Sequence, residues 1–334
     1  MKRLLPYIFL LLLSACSEKE EATVEKSDDV AIAFFSDATE SEDITSRSTS
    51  LNKDFQLYGF KTSATYCQTV FDDYTVKYAA GSEGSTPDNT NGYYYVGTFY
   101  SKVQTIKYWD MSAERYQFFA FSPRQTVTHS GTGTGLSDGS TYSAMMTITK
   151  EQTDNGIIPL YSELKEVQKA GFGNVVTMEF KRPISLVAYR FLSEEGVAVT
   201  VDNSSFEPAT ATDKIYSDGT ATVTYGSSSG ATLVTQGTTV LNAGTENENK
   251  FTSPETYYAV MPAGETPYGA FKVTAAVQGV KTAYVPAEFM QWKPNCRYTY
   301  VFKVSGSSVP LVLVDVVVEE WQYGGYVEDE QKQW

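Results

Sequence analysis

From Leu51 onward the chain is a succession of short runs in which apolar and polar residues alternate. Phe55-Gln56-Leu57-Tyr58-Gly59-Phe60, Tyr74-Thr75-Val76-Lys77-Tyr78, Arg115-Tyr116-Gln117-Phe118-Phe119-Ala120-Phe121 and Ala144 to Thr149 are the clearest. A period of two places alternate side chains on opposite faces of a strand. Between the runs stand Gly81-Ser82-Glu83-Gly84, Asp88-Asn89-Thr90-Asn91-Gly92 and Gly131 to Gly139. Glycine and asparagine there supply the backbone angles that tight turns need. Many short strands with such punctuation predict an all-β protein built as sandwiches or barrels. The strongest helical stretch is Ser162 to Val167, with a serine to cap it and Gly171 beyond its end.

A second set of runs begins near Gly173: Val175 to Lys181, Ile184 to Leu192, Val197 to Val201, Thr220 to Tyr225, Tyr257 to Met261, Phe271 to Val277, Thr282 to Val285, Arg297 to Val304 and Leu311 to Trp321. The expected organisation is therefore two tandem β-sandwiches, 48–173 and 174–334. Val309 to Val318 is apolar on both faces and reads as a buried strand.

Composition narrows the chemistry. Lys and Arg number 26 against 40 Asp and Glu, for a net charge of −14. Such a surface repels phosphate backbones, so nucleic acid is excluded as a partner. One histidine and three cysteines exclude most metal sites, which gather three or four such ligands, and no cofactor is expected. His129 is the only imidazole and sits beside a glycine loop, where it reads as exposed. Gly226-Ser227-Ser228-Ser229-Gly230 matches the nucleophile-elbow spacing, but Ala231-Thr232-Leu233-Val234 reads as a strand where that motif needs a helix. Gly131-Thr132-Gly133-Thr134-Gly135 likewise lacks a helix after it to hold phosphate. Asp72 and Asp73 could act as a carboxylate pair, but neighbours in a strand point to opposite faces. Asp37, Glu40, Glu42 and Asp43 have no calcium-loop spacing. Tyr93-Tyr94-Tyr95 could stack on sugars or pack its own sandwich. Cys67 and Cys296 could pair, or stay as free thiols. The expectation is a protein that is not an enzyme.

The N-terminus carries an address. Lys2 and Arg3 precede the apolar run Leu4 to Leu13, too short for a bilayer crossing of about 20 residues but right for a signal peptide, residues 1–15. Leu13-Ser14-Ala15-Cys16 resembles a bacterial lipobox, which makes Cys16 the lipidated first residue of the mature chain. Ser17-Glu18-Lys19-Glu20-Glu21 resembles the acidic tag that sends lipoproteins to the surface of Bacteroidetes-type bacteria. Residues 16–47 then hold one isolated apolar run, Val30 to Phe35, with Val30, Ile32 and Phe34 on one face. It must pair with the body of the protein or stay unfolded.

These features in this order resemble the fimbrillins, subunits of the type V pili of Bacteroidales. The resemblance rests on the lipobox, the strand at 30–35, and Arg47 in the Ser/Thr-rich run Ile44-Thr45-Ser46-Arg47-Ser48-Thr49. It extends to Tyr108-Trp109 with Tyr116 to Pro123, to Val176 to Val187, and to Tyr258-Ala259-Val260-Met261-Pro262 with Trp292 to Tyr300 and Trp321. It implies two transthyretin-like β-sandwich domains, a lipid anchor in the outer membrane, and cleavage by an Arg-specific protease between Arg47 and Ser48. The strand at Val30, Ile32 and Phe34 would then be removed and replaced by one from another fimbrial subunit, giving a head-to-tail polymer on the cell surface that supports adhesion to a host or bacterial ligand. The alternative is a surface adhesin or glycan-binding lipoprotein that never polymerises.

Overall fold

The structure is a computed structural model. It describes residues 30–36, 54–77, 97–99, 102–154, 158–193, 204–226, 230–241, 255–260, 269–276, 279–304 and 310–320. Cys16, Arg47, Ser48, the tyrosine run 93–95 and the expected strand 197–201 lie outside these residues. Among the described residues, strands joined by turns make up nearly everything, and the fold is all-β, as the alternation predicts.

The first layer is a sheet in the order Phe180–Lys181, Leu160–Ser162, Arg115–Ser122, Asp54–Thr62, Cys67–Lys77, with Lys165–Gln168 also paired to Arg115–Ser122. Its central strand is apolar on both faces and almost wholly buried, because both faces are covered. Tyr116, Phe118 and Ala120 face one core with Phe55, Leu57, Phe71, Trp109 and Val176. Phe119 and Phe121 face a second core with Tyr58, Phe60, Tyr142, Met146, Val223 and Tyr225. A four-stranded sheet covers that second face, in the order Gly230–Val240, Tyr216–Gly226, Thr141–Ile148, Val127–Ser130. Here Tyr216–Gly226 pairs antiparallel with Thr141–Ile148, from Gly219 opposite Ile148 to Tyr225 opposite Tyr142. These two strands lie on opposite sides of the expected partition at 173/174, yet they are hydrogen-bonded neighbours.

A third core lies between two further sheets. One runs Glu255–Val260, Ser185–Ser193, Cys296–Val304, Val312–Glu320; the other runs Ser204–Pro208, Phe271–Ala276, Val280–Val285. Trp292 is at its centre, stacked on Phe271 at 5.8 Å, with its indole N–H donating to the Tyr300 hydroxyl at 2.8 Å.

Three local expectations change. Residues 162–167 are not helical: Leu160–Ser162 and Lys165–Gln168 are strands. Ser162 is buried, and its hydroxyl accepts the Ala120 N–H at 2.8 Å instead of capping a helix. Six residues of helical pattern cannot nucleate against that pairing, so tertiary context wins. The α-helix among the described residues is instead Lys150–Asp154. Thr149 and Gln152 cap its start reciprocally: the Gln152 N–H donates to the Thr149 hydroxyl at 3.2 Å, and the Thr149 N–H donates to the Gln152 carbonyl oxygen at 3.0 Å. Last, Val312–Glu320 is not a buried strand but an edge. Leu313 and Val316 lean on the core, while Val312, Val314 and Val318 are about half exposed. Cys67 and Cys296 are free thiols belonging to separate cores, so the free-thiol alternative is the one observed.

Candidate functional site

Residues 30–36 occupy a slot on the first face of the central sheet. On one side the Ile32 N–H donates to the Lys107 carbonyl at 2.8 Å, the Trp109 N–H donates to the Val30 carbonyl at 3.0 Å, and Ala31 lies antiparallel to Tyr108. On the other side Phe34–Ser36 runs parallel to Val176–Met178, and the Val176 N–H donates to the Ala33 carbonyl at 2.9 Å. The segment is thus bonded along both edges. Its alternation sends Ile32 and Phe34 inward, at 4% and 0% exposure, with Val30 packed against the same core. The ring of Phe34 stands edge-on to Phe71 and Phe118, with centroids 5.4 and 5.3 Å away.

The 104–112 segment, which walls one side of the slot, is held largely by side chains. The Gln104 amide takes the place of a neighbouring strand: Thr75 N–H donates to its oxygen at 2.7 Å, and its nitrogen donates to the Thr75 carbonyl at 3.0 Å. The Tyr74 hydroxyl donates to the Thr105 carbonyl at 3.1 Å. Trp109 stacks on Phe172 at 4.8 Å and meets Tyr116 edge-on at 4.9 Å. The Asp110 N–H donates to the Tyr116 hydroxyl at 2.8 Å, and burial pushes that phenol up to about 12.

Asp110 is the charged anchor. Its carboxylate accepts from Lys61 Nζ at 2.7 Å and from the Ser112 hydroxyl at 2.6 Å and N–H at 2.9 Å. The Lys61 ammonium, followed by Ser112, holds this carboxyl well below the usual carboxylate range against the opposing effect of burial. A carboxyl depressed on folding stabilises the folded form above its unfolded value near 3.8, and that contribution fades as pH falls toward the folded value. The grip on the slot is therefore expected to weaken only below about pH 4. At neutral pH, Asp110→Ala should raise amide exchange at Ile32 and Trp109 by about five- to tenfold, the scale of a partly exposed charged hydrogen bond. Unchanged exchange in that variant would mean Asp110 does not brace the slot.

The other motifs have structural roles. Asp72 is exposed, whereas Asp73 has φ 56°, pairs with Arg124 and accepts from the Gln56 amide at 2.6 Å. Gly226 and Gly230 pair directly across a hairpin, and a strand comes after them. In the 131–140 loop the Asp138 carboxylate takes the N–H groups of Thr134, Gly135 and Ser140, leaving those amides no anion to hold. His129 is exposed, 4.7 Å from the Tyr142 ring. Of the expected site residues, Val30, Ile32 and Phe34 come together with the core, and Cys16, Arg47 and Ser48 fall outside the described residues. Sequence reading missed Gly59, Gln104 and Asp110. Only Gly59 left a signal, since glycine inside a strand pattern marks a close approach.

A family model described as fimbrillin-like matches residues 44–321. No curated protein matches the chain. Among solved structures, a candidate cell adhesion protein of Bacteroides uniformis superposes with a TM-score of 0.47 at 15% identity, covering 88% of this chain and 99% of its own. A fimbrial protein of Bacteroides vulgatus gives 0.46 at 10% identity, covering 87% and 99%.

Proposed function

The chain belongs to the fimbrillin-like family, and from that premise we propose that it is the precursor of a surface pilus subunit which stores its own N-terminal strand in the slot that a neighbouring subunit's strand later fills. Cys16 carries the lipid that holds the precursor on the outer membrane. An Arg-specific protease cuts between Arg47 and Ser48, and the strand containing Val30, Ile32 and Phe34 is then exchanged for one from another subunit.

The observation that carries this reading is the seat of residues 30–36. If they leave, the Lys107 carbonyl and the Trp109 and Val176 N–H groups lose their partners, and the rings of Phe71 and Phe118 lose Phe34. Unpaired backbone and open apolar surface are both costly in water. A strand from outside relieves both at once by β-augmentation. Burying side chains like Ile32 and Phe34 contributes about 1.5–3 kcal/mol each, so the joint is long-lived. Donor and acceptor surfaces differ, and such head-to-tail contacts build filaments when they do not close. Family membership supports a fimbrial subunit in a cell-surface appendage rather than an enzyme.

Purified full-length chain treated with an Arg-specific protease should acquire Ser48 as its N-terminus and then form a ladder of oligomers that resist detergent and collapse on heating. A chain that is cut at Arg47 and stays monomeric under those conditions would be a non-polymerising adhesin instead.

A further inference from the structure

The inward positions of the stored strand are not equivalent. Phe71 and Phe118 lie 6.0 Å apart, and Phe34 closes a triangle with them, its ring at 82° and 83° to theirs. The room for this triangle exists because position 59 is glycine. A Cβ there would stand 2.7 Å from Phe71 Cδ2 and 2.8 Å from Phe118 Cδ1, inside the closest approach of carbon atoms. The strand Asp54–Thr62 therefore gives up a side chain on its inner face at the point where the rings sit. Ile32, two residues earlier, shares with Phe34 and Phe71 a narrow cleft bounded by Tyr74, Ile106 and Lys107, and it has no ring partners to fix its shape. Ring geometry is thus demanded at position 34 by its two edge-on partners. Edge-to-face contact sets the positive rim of one ring against the negative face of another, and no aliphatic side chain reproduces it.

We propose that the slot is an aromatic-selective receptor for extended chains: the strand that replaces residues 30–36 is recognised by an aromatic side chain at the Phe34 position, in the pattern aliphatic, any, aliphatic, any, aromatic. This rests on the exchange reading above and names the chemistry of the partner it requires. Val312–Glu320 offers valines and no aromatic. The rule therefore assigns the slot to an aromatic-bearing strand of another subunit and excludes residues 312–320 as that strand.

The test uses full-length chain with Phe34→Ala, treated with an Arg-specific protease so that the weakened strand is no longer tethered beside the slot, while Phe71, Phe118 and Gly59 stay. Three fluorescein-labelled peptides are titrated into it and read by anisotropy: residues 30–36, the same peptide with leucine in place of Phe34, and residues 312–318. The first should bind at least about tenfold more tightly than either of the others, the scale of two lost edge-to-face contacts. Adding Phe71→Leu to the host should lower the preference for phenylalanine over leucine severalfold while the leucine peptide's affinity stays within about twofold. Should Phe34→Ala fail to fold, Phe34→Leu is the host for the same titrations. Equal affinities for the phenylalanine and leucine peptides, or tight binding of residues 312–318, would overturn the aromatic rule and leave strand exchange standing. Binding of none of the three would overturn strand exchange itself, and the aromatic rule with it.

Discussion

Phe34→Ala in the intact precursor is expected to cost the N-terminal half of the molecule about 3–5 kcal/mol, the range for deleting a buried aromatic ring. Phe34 is wholly buried, and its edge-to-face partners Phe71 and Phe118 cannot close the gap without leaving Gly59, the position that sets their spacing. The loss has a ceiling, however. Residues 30–36 are bonded to their surroundings along both edges but, among the described residues, belong to no larger sheet, so they can leave without unfolding the central one. Once the deletion exceeds what holds the strand in place, the strand unseats and further loss stops. Hydrogen exchange separates the two outcomes. Unseating should raise exchange at Ile32, Trp109 and Val176 by about a hundredfold or more, the equivalent of about 3 kcal/mol, while amides in Arg115–Ser122 stay protected. Phe35→Ala is the control: that side chain is only half-buried, and its removal should cost about 1 kcal/mol or less. Equal effects at 34 and 35 would show that the strand is not held through its inward face.

This contrast also shows how far the sequence could be read. The two-residue period of Val30, Ile32 and Phe34 identifies the inward set before any fold is known, because a strand has only two faces. The all-β class comes from the same period repeated down the chain. Arg115–Ser122 breaks the alternation, and its continuous apolar run is what a strand covered on both faces needs. What covers it was not legible. Tyr216–Gly226 reaches back across the expected 173/174 partition to pair with Thr141–Ile148, and local pattern says nothing about which strands meet over such distances in the chain. Residues 162–167 fail as a helix for a related reason, since their hydrogen bonds go to Tyr116 and its neighbours. Val312–Glu320 misleads in the opposite direction, because a run of valines looks the same whether its second face is buried or open. The braces of the slot are harder still. Gln104 standing in for a strand, and Asp110 tying Lys61 to Ser112, are side-chain bonds that depend on where two distant segments cross.

Arg47→Ala should leave the precursor uncut and slow its assembly by about a hundredfold, and the reason is concentration rather than contact. In the uncut chain residues 37–53 connect the stored strand to Asp54, where the next described strand begins. A connection of that length keeps a segment at an effective concentration on the order of millimolar beside its own slot. A competing strand on a neighbour present at about 10 micromolar then faces a roughly hundredfold handicap at equal intrinsic affinity. A cut between Arg47 and Ser48 would remove the handicap without changing one contact in the slot. The piece so released would be held only by its own contacts, and once it left it would be diluted away. Arg47→Lys separates the cut from the side chain: it should resist an Arg-specific protease as Arg47→Ala does, yet assemble at the normal rate when a Lys-specific protease makes the same break. Oligomer ladders tracked over time in detergent gels read both variants. If the uncut Arg47→Ala chain builds oligomers as fast as the cleaved parent, the connection through residues 37–53 is no barrier, and cleavage is not what triggers exchange.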